Sequence, residues 1–87
     1  MAKRDQLAIP SGVEEDPNAF EILRIWLAHQ GQHVSLRSGV WEDPAAWGIM
    51  LSDLAKHVAN SYYENNGLDR GKTLQRIKAA LDVEFKE

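Results

Sequence analysis

The sequence predicts a helix-rich α+β fold of three helices, with a short strand or hairpin between the first and second. Three observations predict it. Asp16-Pro17 and Asp43-Pro44 each precede apolar residues at helical spacing. Between these segments, residues 32–38 alternate with a period of two. After Asn65-Asn66-Gly67 a third stretch resumes the helical period.

Residues 1–15 read as an N-terminal arm ahead of a single domain spanning 16–87. In the arm, Leu7 and Ile9 alternate before Pro10, Ser11 and Gly12 stop the run. A short edge strand and a disordered segment fit that pattern equally. Asp16 is a good N-cap, and proline at the first helical position gives up only an N–H that would be unpaired anyway. Ala19, Phe20, Leu23, Trp26 and Leu27 then share one helical face, so a first helix is expected up to Gly31. Ile25 does not fit that face.

In the next segment Val34 and Leu36 point one way, and His33, Ser35 and Arg37 the other. A lone strand leaves backbone groups unpaired. Its expected partner is the Leu7–Ile9 arm, the chain near Val40-Trp41, or the same strand of a second copy. Trp47, Leu51, Leu54, Val58 and Tyr62 then form the clearest helical stripe of the chain. Asn65-Asn66-Gly67 closes that helix, and Asp69 or a nearby residue opens the third, with Leu74, Ile77, Ala80 and Leu81 on its inner face and Phe85 at the end of it. The expected core gathers Phe20, Trp26, Leu36, Trp47, Leu54, Val58 and Ile77.

Length and composition bound the function. An 87-residue chain accommodates one domain. Hydrophobic residues at 44% and charged residues at 26% argue for a folded chain rather than a disordered one. There is no cysteine, which excludes disulfides, Cys-ligated zinc and a thiol nucleophile, and favours a reducing compartment. A net charge of −3 argues against nucleic acid as the main partner. The basic residues Arg70, Lys72, Arg76 and Lys78 lie among acids and read as a solvated face. No stretch reaches the roughly 20 apolar residues of a membrane helix, and no signal-peptide pattern follows Met1. A cytoplasmic location without membrane contact is expected.

Three stretches carry a resemblance. They are His33-Val34-Ser35-Leu36-Arg37, Gly39-Val40-Trp41-Glu42-Asp43-Pro44-Ala45-Ala46-Trp47-Gly48 and Leu51-Ser52-Asp53-Leu54-Ala55-Lys56-His57-Val58-Ala59. The chain resembles a family of short bacterial proteins of unknown function, from Leu7 to about Leu81. The resemblance implies no activity, cofactor or substrate, so no catalytic residue is carried over from it.

The candidate sites follow from residue chemistry. Asp53 and His57 stand one helical turn apart and can meet at the edge of the apolar stripe, as a base, a single metal ligand or a surface pair. Two further ligands for a metal are not recognisable. His33 and Arg37 share a strand face, and the fork of Arg37 suits a carboxylate or phosphate. Trp41 and Trp47 flank the Asp43-Pro44 cap, where they pack around the helix start or line a pocket. Ile25, Ile49 and Tyr63 project away from the main apolar faces and are candidates for an interface. With no catalytic set recognisable, no cofactor or metal is expected. The leading expectation is a protein-interaction or regulatory module that forms a homodimer, with a further protein as a second kind of partner. The alternative is a small-ligand or anion-binding domain, enzymatic or not, built on His33, Arg37, Trp41, Asp53 and His57.

Overall fold

In the computed structural model, which describes residues 5–86, the order is α1 (Ser11–Glu14), β1 (Leu23–Ala28), β2 (Gly31–Leu36), α2 (Ala45–Asn66) and α3 (Arg70–Glu84). The fold class is the expected one: three helices, with an antiparallel hairpin between the first and second. The described residues fall into two compact units, one reaching to Val40 and one beginning at Trp41. Residues 1–4 of the arm and residue 87 lie outside the described residues.

The first helix is not where the Asp16-Pro17 signal placed it. Asp16 turns its carboxylate onto the N–H of Asn18 at 2.9 Å, and its carbonyl accepts from Ala19 at 3.1 Å. Asp43 makes the same pair of bonds at the start of α2, but after Asp16 the turn is not continued into a helix. The helix preceding it is the single turn Ser11–Glu14. Downstream, Leu23 to Ala28 is a strand and the partner of β2. Within the chain β2 pairs with β1 rather than with the arm or the segment near Val40-Trp41, and Leu7–Ile9 is not part of the sheet.

The register pairs Leu23 with Leu36, Ile25 with Val34 and Trp26 with His33. His29 and Gln30 form the two-residue connection, with φ of 51° and 61°. Positive φ at both central residues is the geometry of a type I′ turn, whose twist matches the flanking strands. Asparagine and glycine adopt it most easily, and neither occupies these two positions.

The second Asp-Pro signal works as expected. Asp43 accepts from the N–H of Ala45 through its side chain at 2.9 Å, and α2 begins there. Gly67 ends α2 at φ 69°, its N–H returning to the Tyr63 carbonyl at 2.9 Å. Asp69 caps α3 by accepting from the N–H of Lys72 at 2.9 Å.

The α2–α3 contact uses an unexpected face of α2. Gly48, Ser52 and Ala55, with Leu51 beside them, line a groove with Leu74, Ile77 and Leu81 of α3, and Ala59 continues the small-residue face at helical spacing. Ala59 is buried, at 3% exposure, and no other described residue is. At 100° per residue the large stripe of Trp47, Leu54 and Val58 lies about 110° round the helix from this small-residue face. The expected core is therefore not closed. Trp26, Trp47 and Ile77 are half-buried, whereas Phe20, Leu36, Leu54 and Val58 remain exposed.

Candidate functional site

Within the hairpin unit, pleating sorts the side chains into two faces. Leu23, Ile25, Leu27, Val34 and Leu36 share one face with Gln32, while Arg24, Trp26, His33 and Ser35 occupy the other. The apolar face is open: Leu27 is 85% exposed and Leu36 58%. On the polar face, His33 Nε2 lies 3.1 Å from the carbonyl oxygen of Ala28. Arg37 follows β2 and donates from Nε to the Glu21 carbonyl at 2.8 Å, with its guanidinium 5.4 Å from the centre of the Phe20 ring. Glu21 pairs with Arg24 at 2.6 Å. That hydrogen bond, opposed by slight desolvation, holds the Glu21 carboxyl below its ordinary value and raises the Arg24 guanidinium.

Within the helical unit, Trp41 meets Trp47 edge-on at 5.1 Å between ring centres, as residues packed around a helix start do. Asp53 and His57 sit on exposed turns of α2, and no ion pair joins them. Ile49 is 66% exposed. Tyr63 is engaged by its own chain: the Arg70 guanidinium stacks 3.7 Å from its ring centre while Arg70 Nε donates to Asn60 Oδ1 at 2.7 Å. This clasp joins the end of α2 to the start of α3. Of the basic residues on α3, Lys78 is paired with Asp82 at 2.8 Å.

The structure thus places His33 and Arg37 in the hairpin unit, and Trp41, Asp53 and His57 in the helical unit. Ile25 belongs to the open sheet face, and Ile49 and Tyr63 to α2. Sequence reasoning missed how much else is uncovered. Leu27, Val34 and Leu36 on the sheet, and Leu54 and Val58 on α2, are open as well. The signal was present in the small residues Gly48, Ala55 and Ala59, since a face of small residues permits close helix approach. Among the described residues no group of three or more His, Cys, Asp or Glu could hold a metal. Among them, too, no helix is long and apolar enough to cross a membrane.

These features define a class: a small α+β chain made of a β-hairpin and a helical hairpin, each with an apolar face turned outward. The chain belongs to the DUF5076 family, a domain of unknown function, which matches residues 6–87. It is also similar to a solved structure from the photosynthetic bacterium Rhodopseudomonas palustrus CGA009, provisionally described as a pyruvate dehydrogenase. The two share 30% sequence identity with a TM-score of 0.77, over 100% of this chain and 88% of that one. No curated protein matches.

Proposed function

We infer that the protein is a self-associating interaction module whose apolar faces are covered by a second copy of the chain. One observation carries this reading: among the described residues Ala59 alone is buried. A two-stranded hairpin is at best marginally stable by itself in water. A helical pair with one buried alanine gains little from apolar burial. The apolar side chains left open within each unit, Leu27 and Leu36 in one and Leu54 and Val58 in the other, are surface that a second copy can cover.

The description of the Rhodopseudomonas relative suggests a different reading for this chain, as an enzyme acting on pyruvate. That reading needs an acid–base group held in an enclosed site. Among the described residues His29, His33, Asp53 and His57 all stand exposed, so self-association is better supported.

The test uses charge on the open faces. Leu54→Asp with Val58→Asp, and separately Ile25→Glu or Ile49→Glu, leave the Gly48–Ala59 contact face untouched. Tyr63 is avoided because its ring carries Arg70. Each variant is expected to sediment as a lighter species than the wild-type protein at equal concentration. A wild-type dimer that all of these variants leave intact would overturn the proposed faces, and a wild-type monomer would overturn the function.

A further inference from the structure

The hairpin register shows which backbone groups are spent and which are free. Arg37 donates its N–H to the Ile22 carbonyl at 2.9 Å, so the hydrogen-bonded pairs run through Arg24 with Ser35 and Trp26 with His33. The alternate residues of each strand turn their N–H and C=O outward. On β1 these are Leu23, Ile25 and Leu27. On β2 they are Gln32, Val34 and Leu36.

The two outer edges differ. Beside β1 runs the arm, whose Asp5, Leu7 and Ile9 line a groove with Leu23 and Ile25, and β1 carries the charge of Arg24. The β2 edge has none of the usual guards. Gly31 to Leu36 holds no lysine, no proline and no charged residue, and its ladder runs without a bulge. Among the described residues, no backbone hydrogen bond outside the hairpin reaches Gln32, Val34 or Leu36. An unguarded edge of this kind is a template for another strand.

We propose that β2 pairs antiparallel with β2 of a second copy, joining two hairpins into one four-stranded sheet. This rests on the self-association inferred above and names where it occurs. The occupant is a second copy because the strand is complementary to itself. A two-fold axis at Val34 sets Val34 against Val34 of the partner subunit and Gln32 against Leu36 of the partner subunit. That register uses all three outward residues of each strand, and a shift of two residues uses fewer. The axis stands perpendicular to the sheet, so the apolar faces of both copies fall on the same side. Leu23, Ile25, Leu27, Val34 and Leu36 then form half of one continuous apolar surface.

The test combines backbone exchange with cross-linking. In the wild-type protein, at concentrations where it sediments as a dimer, the amides of Val34 and Leu36 are expected to exchange as slowly as that of Ser35. Because the chain has no cysteine, a Val34→Cys variant adds a single thiol per chain. Across the two-fold axis its Cα lies about 5.5 Å from its mate, within disulfide reach. Under mild oxidation it is expected to yield covalent dimer at least tenfold faster than a Leu27→Cys variant, whose side chain is more exposed. A sedimenting dimer whose Val34 and Leu36 amides exchange freely would overturn the edge pairing and leave self-association standing. Equal cross-linking of the two variants would do the same. A strict monomer would remove both.

Discussion

The His29–Gln30 turn offers a perturbation whose size follows from backbone geometry. Both residues sit in the left-handed region, at φ 51° and 61°. A residue with a β-carbon pays about 1 kcal/mol or more there. Asparagine tolerates the region, and glycine enters it freely while losing about 0.5–1 kcal/mol of chain entropy on folding. His29→Asn with Gln30→Gly should therefore stabilise the protein by a net of about 1 kcal/mol. The loss is small, because the His29 ring only touches His33 edge-on at 6.3 Å. For a domain of this size the gain corresponds to a rise in Tm of about 4–8 °C. Thermal unfolding followed by circular dichroism measures it, at one fixed protein concentration because association itself raises Tm. Gln30→Val provides the opposite sign, since a β-branched side chain is least tolerated at positive φ. An unchanged or lowered Tm in the Asn-Gly variant would refute the assignment of a strained type I′ turn.

Two further outcomes follow from the same structure. Ala59→Leu overpacks the buried contact between α2 and α3 and should cost about 1–3 kcal/mol in a denaturant titration; a neutral result would mean that the helices do not meet there. Glu21 is held below its ordinary titration by Arg24, so its contribution is present above the unfolded value and is lost as pH falls through the folded one. Glu21→Gln should flatten the acid side of the stability profile slightly, as befits an exposed pair, and an unchanged profile would remove the ion pair from the account.

Elements whose signals were local and unambiguous were legible in the sequence. Asp43, Gly67 and Asp69 bound α2 and α3 as read, because capping depends on a few adjacent residues. The alternation of Val34 and Leu36 against His33 and Ser35 survives intact in β2. Residues 19–28 satisfied two periods at once. Phe20, Leu23 and Leu27 fit a helix, and Leu23, Ile25 and Leu27 fit a strand. Ile25 was the residue that decided between them, since it is misplaced on a helix and in line on a strand. The turn that would have exposed the hairpin was hidden because His-Gln stands where Asn-Gly is usual. For the candidate site, the exposed Ile25 was visible as a misfit on a helix. The open stripe of Leu54 and Val58 was not, because an apolar stripe reads as core until its partner helix is seen to choose the small-residue face. The ligand candidates His33, Arg37, Trp41, Asp53 and His57 gained no shared geometry within either unit beyond the polar sheet face of His33 with Arg37 following it.

Sedimentation equilibrium of the wild-type chain over a wide concentration range tests the central claim most directly. A chain in which Ala59 alone is buried among the described residues should sediment as a dimer or larger closed assembly, and should lose its cooperative unfolding as dilution dissociates it. A folded, cooperative monomer at every concentration would contradict the account, because each apolar face described above would then have no need of a second copy.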